Sequence, residues 1–408
     1  MEGTRSLATD ISAARGRPMA VSELFLLTLS VAVAGCGASP SSAGPGAYSY
    51  EYRIPTATSD GWETASLSSV GLRKAPLAEL MFDLHALGEH RIHSLLIVRQ
   101  GKLVFEEYFL GRKTNLARYT GETGFDRNDT HNLASVTKSI TTTLFGIALD
   151  QGYFQDVGHH VFDYFPEHAE LMTQDPRRGE ITIEHLMLMT SGMRWNDEVI
   201  PYTEPENDMV RMFNSEDPIG FALATQLYAT PGSDFEYCNA NTNILGEVVA
   251  RATGQRLDDF SETHLFDPLG ITDFEWQMIS DEVVFASGDL RLRPRDMAKI
   301  GRLFLQDGVW DGRQVVSAAW VAAATSRLVT PDGPHAWADG YGYGWWHWDL
   351  TVSGEVHPAI MAAGWGGQWI VILPEDDMVF VTTGGSFFDP VVMPAERMLL
   401  DYILPAER

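Results

Sequence analysis

The fold is constrained most by where the two kinds of apolar periodicity lie along the chain. β-type runs occupy both ends and helical spacing fills the middle. Residues 77–87 have helical spacing. Residues 93–99 and 102–109 are apolar runs separated by Gln100-Gly101, the signature of a hairpin. Residues 126–132 are polar and turn-like, and residues 135–150 form a strongly apolar helical stretch that stops at Gln151-Gly152. From about 153 to 290, short helical stretches (183–189, 218–227, 241–253, 257–265) alternate with Gly/Pro/Asn loops, and 295–306 and 318–325 continue in that style. Residues 343–350, 359–363, 368–373 and 378–383 then read as strands, with Glu375-Asp376-Asp377 as a turn and 390–403 as a closing helix. The economical arrangement is an α+β (mixed α/β) fold. One antiparallel sheet is built from both ends of the chain and flanked by helices, with a helical lobe of about 153–290 inserted.

The N-terminal region reads as an export signal. Residues 24–35 are a nearly unbroken apolar run, too short to cross a bilayer and suited to the h-region of a signal peptide. It ends in Val33-Ala34-Gly35-Cys36, which resembles the lipobox of bacterial lipoproteins, where the cysteine thiol takes the lipid. Residues 37–46 are rich in Ser, Gly, Ala and Pro, as a tether is. Arg5, Arg15 and Arg17 lie far from the run and Glu23 directly precedes it, so Met19 is an alternative start. The expected division is a signal peptide over 1–36, a tether and N-terminal extension over 37–75, and a catalytic domain over 76–408. The expected location is the cell envelope, periplasm-facing, with the membrane held through a lipid on Cys36.

Composition excludes some partners. The formal net charge is -26, which argues against nucleic acid, because affinity for a phosphate backbone comes mainly from Lys and Arg. Only five lysines occur, so a lysine inside a motif is informative. The cysteines are Cys36 and Cys238, no Cys/His cluster has zinc-ligand spacing, and no HExxH occurs. No metal or other cofactor is expected.

Two motifs carry chemistry. In Ser135-x-x-Lys138, three residues on a helix bring both side chains to one face. A lysine whose pKa is lowered by burial can take the serine proton. A helix N-terminus supplies free N–H groups that favour an oxyanion. The plain alternative is an N-cap serine followed by a solvated lysine. About a hundred residues later comes Tyr237-x-Asn239, where a phenol can relay the proton to a leaving group and the amide can fix the lysine or a substrate carbonyl. Its alternative is a loop tyrosine ahead of a helix starting near Asn241.

With these residues in view, the chain resembles the serine β-lactamase and penicillin-binding-protein group, in its class C, D-alanyl-D-alanine carboxypeptidase, family VIII esterase and 6-aminohexanoate-dimer hydrolase branch. The resemblance rests on Leu133-Ala134-Ser135-Val136-Thr137-Lys138-Ser139, on His185-Leu186 through Met189-Thr190-Ser191-Gly192-Met193, and on Pro231-Gly232 through Tyr237-Cys238-Asn239 to Gly246. It covers roughly residues 90–385. It implies the mixed fold with an inserted helical lobe and acyl-enzyme chemistry: Ser135 as nucleophile, Lys138 and Tyr237 sharing the base role, Asn239 orienting. The third family motif, usually Lys-Thr-Gly or His-Thr-Gly, corresponds to Ala362-Ala363-Gly364-Trp365. The resemblance implies that Gly364 lets substrate approach the strand and that the Trp365 N–H joins that of Ser135 in an oxyanion hole. Ala362 replaces the basic residue that helps hold a substrate carboxylate, which disfavours penicillin and peptidoglycan substrates.

The expected function is therefore a serine hydrolase acting on a small-molecule ester, amide or lactam. The enzymatic alternative is a β-lactamase or D-alanyl-D-alanine carboxypeptidase. The non-enzymatic one is a penicillin-binding sensor that acylates without turnover. Trp345, Trp346, Trp348, Trp365 and Trp369 crowd the third motif and read equally as an acyl pocket or as core. There is no Gly-x-Ser-x-Gly elbow. His131, His185, His347 and His357 read as structural, and Ser191 as a turn residue.

Overall fold

The structure, a computed structural model, describes residues 48–115 and 118–407. Cys36 and the apolar run before it lie outside the described residues. Seven strands form one antiparallel sheet: β1 (Ile92–Arg99), β2 (Lys102–Tyr108), β3 (Gly340–Tyr341), β4 (Trp346–Val352), β5 (Glu355–Gly364), β6 (Gln368–Leu373) and β7 (Met378–Gly384), in the order β3-β4-β5-β6-β7-β1-β2. The two ends of the chain meet where β1 pairs with β7, with Leu95 opposite Thr382 and Ile97 opposite Phe380. Gln100 and Gly101 turn the first hairpin with φ of 52° and 71°, the left-handed pair that matches strand twist.

Side-chain alternation divides the sheet residues between two cores. Leu96, Val98, Ile370, Ile372, Val379 and Val381 join a core with the helices α2 (Val136–Asp150), α3 (Asn239–Thr253) and α4 (Pro294–Leu305). Leu95, Ile97, Val371, Leu373, Met378 and Phe380 face the helix α1 (Lys74–Leu87) and the C-terminal segments Ala395–Met398 and Leu399–Ile403. Both faces are covered, which is why β1 reads as a continuous apolar run rather than an alternating one. Gly301 lets α4 lie close on the sheet: a Cβ there would fall 2.5 Å from Val379 Cγ1.

The observed elements differ from the expected ones in places. Helix α3 begins at Asn239, not near 241, so Tyr237 stands two residues before its first turn. The closing helix begins at Ala395 rather than 390. The 257–265 helix is α-helical to Ser261 and then widens to a π turn over Glu262–Phe266. The expected strand 343–350 begins only at Trp346. A second hairpin, Leu110–Asn115 with Arg118–Gly124, was not anticipated.

One buried cluster ties residues 56–60 to β2 and α4. The Arg295 guanidinium, at the head of α4, donates to both carboxylate oxygens of Glu106 on β2 (2.6 Å each), to Asp60 (2.8 Å), to the Thr58 hydroxyl (2.8 Å) and to the Thr56 carbonyl (2.9 Å). The side chains of Arg295 and Glu106 are both only 3% exposed. Residues 56–60 are thereby held beside the outermost strand, the edge most open to wrong pairing. Replacing Arg295 with Met should destabilise the protein by about 3–5 kcal/mol, because it leaves the Glu106 carboxylate buried without its partner. Urea unfolding checks this, and Arg295→Met with Glu106→Gln should recover part of the loss.

Candidate active site

Ser135 sits at the mouth of α2 because the chain turns sharply just before it. Ala134 takes φ of 45°, a strained value for a residue with a Cβ. Its N–H donates to the Asn132 side chain at 2.7 Å, which holds the turn. Ser135 is half-buried and occupies the N-cap position, yet its hydroxyl caps nothing. Behind it α2 is buried on every side from Val136 to Ala148. Four of the hydroxyls this places in the interior donate to carbonyls, Ser139 to Gly344 (2.6 Å), Thr141 to Ala286 (2.7 Å), Thr142 to Tyr343 (2.8 Å) and Thr143 to Ser139 (2.7 Å), and that of Thr137 accepts from the Leu290 N–H (3.2 Å). These bonds pin the helix to the lobe on one side and to the approach to β4 on the other.

Lys138 is 2% exposed, and its Nζ donates to Ser135 Oγ at 2.8 Å and to the Ser287 carbonyl at 2.7 Å. The Ser287 backbone is itself anchored, its N–H donating to Asn243 of α3 at 3.0 Å. Burial pushes the Lys138 ammonium down to about 7, against the pull of Asp197 and Glu198. Above that pH the amine is neutral. It then keeps an N–H for Ser287 and turns its lone pair to the Ser135 hydroxyl, as a base must.

Tyr237 completes the cluster. Its ring lies 4.9 Å from Lys138 Nζ, which in turn contacts Ser135 Oγ. Burial, with Tyr341 nearby, holds that phenol well above the ordinary tyrosine range, so it stays protonated. Asn239 is buried too, but its amide donates to Asp197 rather than to Lys138. Asp197 is 2% exposed and burial raises its carboxyl above the ordinary range. Sequence reasoning missed this residue, which follows the Thr190-Ser191-Gly192 stretch by a few positions with no motif of its own. It also missed His335, whose ring lies 4.9 Å from that of Tyr237 and whose Nε2 is 3.2 Å from Glu198 Oε2.

The end of β5 closes the other side. A Cβ on Gly364 would fall 2.3 Å from the Leu133 carbonyl and 3.2 Å from the Val136 nitrogen. The glycine therefore admits the backbone leading into α2. Trp365 follows in the turn between β5 and β6. Among the described residues neither the Ser135 nor the Trp365 N–H donates a hydrogen bond. Ala362 is wholly buried in the core beside α2. The tryptophans separate: Trp345, Trp346 and Trp348 are buried, Trp346 also stacking on Tyr237 at 5.7 Å, Trp369 stacks on Trp348 at 5.1 Å, and Trp365 stands half-buried in the turn after Gly364. His131 is buried, His185 completes a capping box with Thr182, and Ser191 donates to Asn241 at 2.7 Å.

Comparison with known proteins gives a consistent result. A family model described as Beta-lactamase matches residues 85–393. A 6-aminohexanoate-dimer hydrolase of Paenarthrobacter ureafaciens is 28% identical over 355 residues, 83% of each chain. Among solved structures, an octameric penicillin-binding protein homologue from Pyrococcus abyssi superposes with a TM-score of 0.59 at 18% identity, covering 81% of this chain and 77% of the other. A family VIII carboxylesterase superposes with a TM-score of 0.58 at 17% identity, covering 76% of this chain and 91% of the other.

The contact at Gly364 is directly testable. Gly364→Ala should push the end of β5 away from Leu133, costing about 1–3 kcal/mol of stability as an overpacked site does. Thermal unfolding measures the loss.

Proposed function

The chain belongs to the beta-lactamase family, and on that premise we propose that it is a serine hydrolase that cleaves an ester or amide through an acyl-enzyme at Ser135. The observation that carries the reading is the 2.8 Å contact between Lys138 Nζ and Ser135 Oγ, made by a lysine 2% exposed. Ser135 attacks the substrate carbonyl as its proton passes to neutral Lys138. The free N–H groups of Ser135 and Trp365 receive the developing oxyanion. The tetrahedral species collapses as the departing oxygen or nitrogen takes a proton from Tyr237, which regains one from Lys138. Water then adds to the acyl-enzyme with Lys138 again accepting a proton, which it returns to Ser135 Oγ as that oxygen leaves the carbonyl carbon and the acid is released. Tyr237 is thus the proton donor rather than a second base, because burial keeps its phenol protonated. Asn239 orients Asp197, whose charge favours the ammonium that Lys138 becomes.

Ester or amide cleavage is favoured over a β-lactamase or carboxypeptidase activity by Ala362. It is apolar and wholly buried where the family's basic residue would meet a substrate carboxylate. On the same reading the chain is exported and anchored through Cys36, supported by the apolar run 24–35 and the lipobox-like Val33-Ala34-Gly35-Cys36.

A fluorophosphonate should add once, on Ser135, by mass spectrometry, and the adduct should be missing in Ser135→Ala. Lys138→Ala should lower kcat/KM for a p-nitrophenyl ester about a thousandfold, the scale of general-base removal. Near-full activity in that variant would remove the proposed base. The wild-type rate should rise with pH and level off, with its midpoint near the value of about 7 set for Lys138, because the protonated amine cannot accept the serine proton. That midpoint belongs to the Lys138–Asp197 pair rather than to either group alone, so Asp197→Asn should move it to lower pH.

A further inference from the structure

Four aromatic rings from four separate segments meet in a row beside the nucleophile. Tyr202, from the lobe, stacks on Trp365 with ring centroids 5.8 Å apart and planes 24° apart. Trp365 meets Phe388, in the loop after β7, edge-on at 5.7 Å, and is backed by buried Phe387 at 5.4 Å. Phe388 meets Tyr119 of the second hairpin at 5.6 Å. Phe388 is 43% exposed, while Tyr202, Trp365 and Tyr119 are half-buried, so the row keeps an open face.

We propose that Tyr202, Trp365, Phe388 and Tyr119 form the acyl-binding wall of the site, and that the acyl group they take is uncharged, bulky and apolar, of the aryl-alkyl kind. The proposal rests on Ser135 being the nucleophile and names the substrate class of that same site. The row starts at Tyr202, whose hydroxyl donates to Asp197 at 3.4 Å, and runs through Trp365 and Phe388 to the hairpin. The leaving group departs toward Tyr237, which leaves the Phe388–Tyr119 end for the acyl group. Charge selects the occupant. Arg91 and Arg112 stand over the Tyr119 ring at 5.9 and 5.0 Å, but both are paired, Arg91 with Glu89 (3.1 Å) and Asp389 (3.3 Å), and Arg112 with Glu89 (3.0 Å). The Tyr119 hydroxyl also donates to Asp389. Both guanidiniums over the Tyr119 ring are thus engaged by carboxylates, and the rings offer their faces and edges to apolar groups.

The test uses the full-length protein and three p-nitrophenyl esters sharing one leaving group: acetate, 4-phenylbutyrate and the negatively charged hemisuccinate. Wild-type kcat/KM should be about tenfold or more higher for phenylbutyrate than for acetate, the scale of burying one aromatic group, and lowest for hemisuccinate. Phe388→Ala should lower the phenylbutyrate-to-acetate ratio about fivefold, and Phe388→Leu should lower it less, as a partial apolar replacement does. Thermal unfolding of each variant verifies that it is folded. A wild-type ratio within twofold of unity, a ratio unchanged in Phe388→Ala, or a preference for hemisuccinate overturns the wall while leaving the hydrolase reading intact. If folded wild-type protein cleaves none of the esters and takes no fluorophosphonate, the nucleophile reading falls, and the wall falls with it.

Discussion

The burial of one amine governs the rest of the site. Lys138 is held in the interior with two uncharged oxygen acceptors in direct contact, and Asp197, whose charge it feels, is already engaged by Asn239. An ammonium there loses most of its hydration and regains only part of it from those contacts, so the neutral form becomes accessible near pH 7. A surface lysine would remain charged and could accept nothing. The helix that carries it must therefore be enclosed on all sides. The fold does this by inserting a lobe between the two halves of the sheet and trapping α2 between α3 of the lobe and strands β5 and β6.

Enclosure alone would not place the reacting groups, since they come from distant parts of the chain. Ser135 and Lys138 share one helix turn, whereas Tyr237 stands before α3 and the Trp365 N–H comes from the end of the sheet. What aligns them is a set of backbone contacts: Ser287 with Lys138 and Asn243, Gly344 with Ser139, and Gly364 with Leu133. Each leaves little room for adjustment, because packed interiors transmit displacement rather than absorb it. Gly364 is the tightest, since the atom it faces is a carbonyl oxygen of the main chain and cannot rotate away.

Much of this was legible in the sequence, and the illegible parts share a cause. The Gln100-Gly101 hairpin, α2 and strands β5 to β7 announced themselves through local signals: a turn dipeptide and long apolar runs. Ser135-x-x-Lys138 was visible because its two members are neighbours on one helix. The second hairpin was not, because Gly111, Arg112, Lys113, Thr120 and Glu122 show no alternating apolar face. The start of α3 was misread because Cys238 and Asn239 look like loop residues, whereas both are buried at the helix head. Asp197 and His335 matter only through partners that the fold supplies, Asn239 in one case and Tyr237 with Glu198 in the other, and no spacing rule encodes such pairs. The tryptophans near the third motif were equally compatible with core and pocket. Strand register decided it, turning Trp346 and Trp348 into the core with α1 and leaving Trp365 in a turn.

The same desolvation that lowers Lys138 raises Tyr237 and Asp197, and this opposition gives the proposed mechanism its economy. A dry site favours whichever form of a group is uncharged. For an amine that form is a proton acceptor; for a phenol it is a proton donor. One physical effect thus prepares a base and an acid side by side at the same pH. In the proposed mechanism an ammonium and an oxyanion arise together, within one small volume, as the serine attacks. Their mutual attraction, the two free N–H groups and the Asp197 carboxylate, which pulls against the burial of Lys138, all favour that moment. Interactions that strengthen only in the transition state are the ones that raise the rate.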